Sequence, residues 1–150
     1  MAAASGKTIA LGADHGGFAL KQYLAEYLAA KGYAVLDLGA YSEDAGDDYP
    51  DFAAAAARAV KERFADFAVL ACRTGTGMCM AANRVKGVRA ALLYSRAAAS
   101  RAREHQDANV AVLADDSFSR RANAGFLDAF LRAKFSAAPR HKRRIKKLDE

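Results

Sequence analysis

The sequence predicts an α/β fold in which helices cover both faces of a parallel sheet. Short apolar runs alternate with helix-compatible stretches along the whole chain, a pattern typical of βαβ units. The length of 150 residues suits a single domain with a substantial core, and no linker or repeat divides residues 1–150. Residues 1–7 precede the first apolar run, and we expect them to form a disordered N-terminal extension.

Five apolar runs have the length of buried strands. In chain order they are Thr8–Gly12, Tyr33–Leu38, Phe67–Cys72, Ala90–Tyr94 and Val110–Leu113. In parallel sheets of this kind, ligands bind at the carboxyl ends of the strands, near a switch in strand order. The polar residues that directly follow these strands are therefore the first candidates for function.

Helices are predicted between the strands of the first half. Phe18–Ala30 carries apolar residues at helical spacing, and Gly32 closes it. A polar loop leads from the second strand to an alanine-rich helix over Asp51–Arg63, whose Ala53–Ala57 run suits a face packed on the sheet. After the third strand, Met78–Asn83 can form a short helix.

The second half ends in a strongly basic segment. Helices are predicted through Ser100–Glu104 and over Ser119–Ala133, and Pro139 opens a final helical segment with most of its charge in Arg140–Lys147. The chain has a net charge of +6, but this segment lacks interleaved aromatic residues for base stacking, so we do not predict nucleic-acid binding. A basic surface equally suits a small phosphorylated substrate.

Several other classes of protein are not expected. No segment reaches the roughly 18 uninterrupted apolar residues of a membrane span, and Met1–Lys7 lacks the apolar stretch of a signal peptide. The two cysteines, Cys72 and Cys79, have no second cluster with which to bind a metal and do not suggest a disulfide framework. The sequence therefore predicts a cytoplasmic protein without a structural metal or a membrane partner.

The third strand ends on Cys72 and opens into a turn of threonine and glycine, residues 73–77. A strand that stops at the start of a helix collects free backbone N–H groups, and glycines let an anion approach the backbone. A cysteine beside such N–H groups is expected to have its thiolate favoured. The segment therefore predicts an anion site with a candidate base or nucleophile, although a buried structural cysteine or a nucleotide-binding turn would look the same.

Three other polar groups are weaker signals. Asp14 and His15 follow the first strand, where Asp14 could simply cap a helix and His15 could donate to an anion. Tyr49 follows two carboxylates in a loop, which is also typical of a plain turn. His105 lies near the end of the fourth helix, where a histidine often serves only as a favourable cap.

These groups belong to motifs that occur in a specific order. They are Ala13-Asp14-His15-Gly16-Gly17, Asp48-Tyr49-Pro50, Cys72 with Thr74, Gly75 and Gly77, Ala81-Ala82-Asn83-Arg84, Glu104-His105 with Asp107-Ala108-Asn109, and Arg140-His141 with Arg144. The set resembles the type B ribose-5-phosphate isomerases, a family that includes galactose-6-phosphate isomerase subunits and allose-phosphate isomerases. The resemblance runs from about Thr8 to Leu148. It implies a Rossmann-like three-layer αβα sandwich with a five-stranded parallel sheet, and a homodimer, in some members paired into tetramers, whose active sites draw on both subunits.

The resemblance also implies the reaction, an aldose–ketose isomerisation through a cis-enediolate with no metal or organic cofactor. Cys72 would be the base that moves a proton between C2 and C1. Thr74 and Asp14 would handle protons on the sugar oxygens, and His105 would open the sugar ring. Backbone N–H groups of the Arg73–Gly77 loop could stabilise the enediolate. The implied substrate-binding residues are His15, Tyr49, Arg73, Gly75, Thr76, Gly77, Gln106, Arg140 and Arg144.

Three residues depart from the family pattern. Arg73 replaces the usual glycine after the cysteine, where it could lower the thiol pKa or reach an anionic group of the substrate. Gln106 replaces the usual asparagine after the ring-opening histidine. Asp116 stands where the family carries a phosphate-binding arginine, and an anion beside a phosphate should weaken binding.

The sequence leaves several functions open. Ribose-5-phosphate to ribulose-5-phosphate is the leading reaction, with another aldose phosphate, such as a hexose or tetrose phosphate, as the alternative. A non-catalytic sugar-phosphate-binding protein is a second alternative, opposed by the retention of Asp14, Cys72, Thr74 and His105. A phosphatase loop would need an arginine six residues after the cysteine, and Met78 stands there. Cys79 is interpreted as a small buried residue.

Overall fold

The structure, a computed structural model, describes residues 6–150. Most of the predicted N-terminal extension, residues 1–5, lies outside the described residues. At the end of that segment, the carbonyl of Lys7 accepts a hydrogen bond of 3.0 Å from the N–H of Ala34. None of the helices in residues 6–150 combines the length and the apolar composition that a transmembrane helix requires.

Five parallel strands form a single sheet, as the alternation of apolar runs predicts. The strands are β1 (Thr8–Ala13), β2 (Ala34–Asp37), β3 (Phe67–Cys72), β4 (Ala90–Leu92) and β5 (Val110–Ala114). Their order across the sheet is β2-β1-β3-β5-β4. β1 and β3 therefore lie side by side at the switch in strand order, with Ala13 paired to Ala71, so the segments that follow these two strands meet at one edge.

Six helices, among the residues described, surround the sheet. They are α1 (Phe18–Ala30), α2 (Tyr49–Lys61), α3 (Thr76–Ala82), α4 (Arg96–Gln106), α5 (Arg120–Arg132) and α6 (Pro139–Asp149), with a 3-10 turn over His15–Gly17 before α1. One buried cluster joins α1, α4 and α5 to one face of the sheet. A second cluster, rich in alanine, joins α2 and α3 to the other face. The α/β three-layer prediction is confirmed.

The helix boundaries show where local signals were incomplete. α2 begins at Tyr49, two residues before the predicted start, because Pro50 is tolerated in the first turn of a helix. α4 begins at Arg96 rather than near Ser100, because the Ser95 hydroxyl caps it by accepting the N–H of Ala98 at 3.0 Å. α3 begins at Thr76, directly after the positive φ of Gly75.

An ion pair between a buried lysine and a partly exposed aspartate fixes the end of β2 against α1. Lys21 is 1% exposed, and its ammonium lies 2.8 and 2.7 Å from the two carboxylate oxygens of Asp37. Asp37 also accepts the backbone N–H of Gly39 at 3.0 Å. The pair therefore holds the start of the loop that leads towards residue 47.

Candidate active site

Cys72 occupies the last position of β3, where it is 7% exposed. Its Sγ atom accepts the backbone N–H of Gly75 at 3.0 Å. Gly75 has a φ of +80°, and a Cβ there would come within 2.5 Å of Leu92, so glycine is required for the turn that aims this N–H at the sulfur. The predicted backbone donor beside the cysteine is present.

The pKa of the Cys72 thiol is shifted in the direction opposite to a favoured thiolate. Burial raises the pKa of the Cys72 thiol, and the charge of Asp14 raises it further. The N–H groups of Gly75, Thr74 and Met78 act in the opposite direction but do not outweigh burial. Arg73 is not among the causes of the shift, so its proposed effect on the thiol pKa finds no support here.

Asp14 lies beside Cys72 because the turn after β1 packs directly on the end of β3. A side chain on Gly17 would overlap the carbonyl of Ala71, so only glycine permits this close approach. The Asp14 carboxylate accepts the N–H of Gly17 at 3.0 Å and is 9% exposed. Its capping role is therefore real, and its charge acts on the Cys72 thiol.

The loop after Cys72 contacts Tyr49 at the start of α2. A Cβ on Gly77 would lie 2.6 Å from the Tyr49 ring carbon Cζ, so the ring rests directly on the Gly77 backbone. Thr74 is exposed, and its Oγ1 accepts the N–H of Thr76 at 3.4 Å. Tyr49 is 41% exposed, which leaves part of its ring available to a ligand at this edge of the sheet.

Arg73 and His15 line one cavity of about 330 Å³, together with Gly16, Ala19, Glu43, Ala45, Asp115 and Asp116. The Arg73 side chain lies over Gly16, since a Cβ there would meet Arg73 Cγ at 2.6 Å. The backbone carbonyl of Arg73 accepts the N–H of Asp116 at 3.0 Å. Arg73 and Asp116, two of the residues that depart from the family pattern, therefore share one cavity.

His15 is paired with Asp47, a residue of the loop between β2 and α2. Its Nδ1 lies 2.7 Å from Asp47 Oδ1, and this hydrogen bond raises the pKa of His15, with Asp14 adding to the effect and Arg73 opposing it. The donor atoms of Asp14, His15 and Asp47 lie within 4.8 Å of one another. Because hydrogen bonds from His15 and from Gly17 account for the placement of the two carboxylates, we assign no metal to this group.

The remaining predicted residues form a second group around α4 and α6. The rings of His105 and His141 lie 4.6 Å apart, and His141 is buried with its Nδ1 2.6 Å from the Ser136 hydroxyl. A cavity of about 330 Å³ is lined by His105, Gln106, His141, Arg144, Ile145, Lys147 and Leu148. Arg140 is exposed on the first turn of α6.

The group around Cys72 and the group around His105 lie at opposite ends of the strands. Arg89, which precedes β4, donates from Nε to the carbonyl of Gln106 at 3.0 Å, so the end of α4 lies at the amino edge. Cys72 pairs with Ala114 at the carboxyl end of β5. Ala114 is four residues from Val110, at the amino end of the same strand, so the two ends are about 13 Å apart at the usual rise per residue. One chain thus brings together Cys72, Asp14, Thr74, Tyr49, His15 and Arg73, but not His105, Gln106, Arg140 or Arg144.

Two residues of these groups were missed from the sequence. Asp47 belongs to a pair of loop carboxylates that is also typical of a turn, and nothing local connects it to His15, 32 positions away. The resemblance implies no role for His141, and its position between basic residues of a helix gives no local sign that it is buried.

The chain is similar to known proteins of one family. Residues 9–148 match the family described as Ribose/Galactose Isomerase. The chain is 45% identical over 141 residues to a probable ribose-5-phosphate isomerase B of Mycoplasma genitalium, covering 93% of this chain and 92% of the relative. It is 38% identical over 146 residues to ribose-5-phosphate isomerase B of Mycobacterium tuberculosis, covering 97% and 90%.

Solved structures give the same result. The crystal structure of a ribose 5-phosphate isomerase from Thermotoga maritima superposes with a TM-score of 0.93 at 41% identity, covering 96% of this chain and 98% of that chain. The structure of ribose-5-phosphate isomerase B from Mycoplasma genitalium with bound ribulose-5-phosphate gives a TM-score of 0.90 at 45% identity, covering 94% and 93%.

Proposed function

The chain belongs to the ribose/galactose isomerase family, and from that premise we propose that it interconverts ribose-5-phosphate and ribulose-5-phosphate with Cys72 as the base. The observation that carries the proposal is the Cys72 sulfur at the end of β3, 3.0 Å from the N–H of Gly75 and beside Asp14. A relative 45% identical to this chain holds ribulose-5-phosphate, which supports the choice of substrate.

The proposed chemistry moves one proton and needs no oxidant. The Cys72 thiolate takes the proton from C2 of the open-chain aldose, and the C–H electron pair becomes the C1–C2 double bond of an enediolate. The thiol then returns the proton to C1 as O2 becomes the carbonyl oxygen. The hydroxyl proton of O2 passes to O1, and Asp14 and Thr74 are the neighbouring groups suited to that transfer.

The loop after Cys72 is suited to stabilise the enediolate charge. Its backbone N–H groups stand at the start of α3, where they are not used by the helix itself. In a site from which water is excluded, donors already held in place stabilise a developing anion at little reorganisation cost. Tyr49, resting on Gly77, would then form a wall of the sugar site.

The cavity beside His15 and Arg73 is the proposed phosphate site. Both side chains carry donors suited to phosphate oxygens. Arg73 reaches the cavity from the end of β3, whereas the family arginine would follow β5, at the position of Asp116. Asp116 opposes this binding from the same cavity. That carboxylate favours a second candidate function, the isomerisation of a different aldose phosphate whose hydroxyl meets Asp116.

A homodimer with shared active sites would bring together all the site residues that the family resemblance implies. His105 and Gln106 lie at the opposite edge of the sheet from Cys72, so ring opening by His105 at the Cys72 site requires a second copy of the chain. The same holds for phosphate contacts by Arg140 and Arg144. The side chains of Met80 on α3 and Tyr94 after β4 are 60% and 64% exposed. They lie near the outer strand β4, where such a copy could pack.

Two experiments test these proposals. Purified protein is assayed for isomerisation of ribose-5-phosphate, hexose and tetrose phosphates, and free ribose. Turnover of ribose-5-phosphate supports the main proposal, turnover of only another sugar supports the alternative, and binding without turnover leaves a sugar-phosphate-binding protein.

For the shared site, inactive Cys72→Ala and His105→Ala chains are unfolded together and refolded. Mixed dimers with one intact site would recover about a quarter of the wild-type activity. No recovery, with mixed dimers present, contradicts sharing of the site.

A further inference from the structure

Asp47 contacts His15, and the proposed reaction gives this carboxylate no role. Its side chain is 10% exposed, although it lies in an otherwise exposed loop. Oδ1 lies 2.7 Å from His15 Nδ1 and also accepts the His15 backbone N–H at 3.3 Å. One carboxylate oxygen thus holds both the ring and the main chain of His15.

We propose that Asp47 is a positioning residue that orients the His15 ring and keeps it cationic, so that Nε2 donates a hydrogen bond to the phosphate of the substrate. The inference rests on the proposed function, because it assigns a role within the phosphate site. It concerns a residue outside every motif that carries the family resemblance.

The hydrogen bonding of imidazole gives the reason. When Nδ1–H donates to Asp47, a neutral ring has only a bare acceptor at Nε2, which would repel a phosphate oxygen. Nε2 becomes a donor only if the ring carries a second proton, and an adjacent carboxylate favours that cationic form. Asp47 therefore converts the free side of His15 from an acceptor into a charged donor.

The surrounding charges are consistent with a cationic ring. Asp14 and Asp47 stabilise it, while Arg73 opposes it. Glu43, Asp115 and Asp116 line the same cavity and add negative charge. Among the described residues, buried Asp47 Oδ2 has no hydrogen-bond partner, which costs free energy and favours a role for this carboxylate other than stability.

Two substitutions separate charge from position. Asp47→Asn keeps an oxygen that can accept from Nδ1–H but removes the charge, whereas Asp47→Ala also removes the acceptor. Asp44→Asn is the matched control: it removes one charge from the same loop, and an asparagine can still accept the N–H of Gly46 that Asp44 accepts at 2.9 Å.

The first readout is NMR titration of the His15 ring, with its signals assigned by their loss in His15→Gln. The pKa of His15 should fall in Asp47→Asn, because the carboxylate that raises it is lost, and stay unchanged in Asp44→Asn. This measurement needs no turnover, so it tests the inference even if the protein does not isomerise ribose-5-phosphate. An unchanged His15 pKa in folded Asp47→Asn overturns the proposal.

The second readout is binding and kinetics. Inorganic phosphate should bind about tenfold more weakly to Asp47→Asn, and Asp47→Ala should lose at least as much. The KM for ribose-5-phosphate should rise by a similar factor while kcat stays within about twofold. A fall in kcat with unchanged KM and unchanged phosphate affinity would contradict a role in holding the phosphate donor.

Discussion

The side chain of Arg73 crosses Gly16 so closely that a Cβ on residue 16 would lie 2.6 Å from Arg73 Cγ. The contact joins the end of β3 to the turn after β1, two segments that meet at the switch in strand order. It also directs the arginine into the cavity shared with His15 and Asp116. The position of the cation thus depends on the absence of a side chain at Gly16.

Gly16→Ala should therefore displace Arg73 and weaken substrate binding. A lost charge-assisted hydrogen bond corresponds to about a tenfold rise in KM for the sugar phosphate, with kcat within about twofold. Steady-state kinetics of Gly16→Ala, Arg73→Ala and the double variant measure this. If Gly16→Ala raises KM as strongly in the Arg73→Ala background as alone, it does not act through Arg73.

Asp116→Asn should improve phosphate binding, because it removes an anion from the cavity that contains Arg73 and His15. We expect KM for ribose-5-phosphate to fall about three- to tenfold at low salt, and by less at high salt, where charges are screened. Glu62→Gln, which removes one charge from the end of α2, should leave KM unchanged. A higher KM in Asp116→Asn would instead indicate that Asp116 binds the substrate.

The raised pKa of the Cys72 thiol predicts an alkaline activity profile. Below the thiol pKa the reactive thiolate fraction grows about tenfold per pH unit, so kcat at saturating substrate should rise with pH through the neutral range. The measurement is kcat as a function of pH for wild-type protein. A kcat that is already constant from pH 6 upward would mean that the thiolate is formed at neutral pH, contrary to the effect of burial.

Gly77→Ala should push the Tyr49 ring out of its place, because the new Cβ would come within 2.6 Å of the ring. We expect kcat/KM to fall by about tenfold or more, as for a misplaced binding group. The Tyr49→Ala background is the control, since the three atoms nearest to the new methyl group all belong to the Tyr49 ring and its hydroxyl. An equal loss in that background would place the defect in the loop backbone rather than in Tyr49.

The pair of buried Lys21 with Asp37 gives a stability prediction. Asp37→Asn leaves the Lys21 ammonium buried without its countercharge and should cost about 3 kcal/mol in the free energy of unfolding. Lys21→Met removes the charge itself and should cost less. Asp128→Asn, whose partner Lys31 is 36% exposed, should cost under about 1 kcal/mol. Urea unfolding measures all three, and equal losses would contradict the role of burial.

Much of the fold followed from local pattern. The bounds of α1 and β3 match the predicted ranges, because apolar spacing and strong turn residues mark both ends. The insertion of β5 between β3 and β4 was not predictable, since strand order depends on packing between segments far apart in the chain. The early start of α4 could have been found from Ser95, a good capping residue.

The candidate site was predicted less completely. Residues that directly follow β1 and β3, such as Asp14 and Cys72, meet because parallel strands end at a common edge. The thiolate expectation failed because a sequence shows backbone donors near Cys72 but not the depth of its burial. The separation of His105 from that edge depends on the direction of α4, and the pairing of Asp47 with His15 depends on a loop path that no local signal specifies.

The central claim is that Cys72 is the base of a sugar-phosphate isomerase. The direct test is conversion of ribose-5-phosphate in D₂O, followed by proton NMR at C1 and C2, with wild-type, Cys72→Ala and Cys79→Ala proteins. We expect wild type and Cys79→Ala to form ribulose-5-phosphate with some deuterium at the exchanged carbon, and folded Cys72→Ala to lose both conversion and exchange by about a thousandfold or more. Conversion by Cys72→Ala at a rate near that of wild type would contradict the claim.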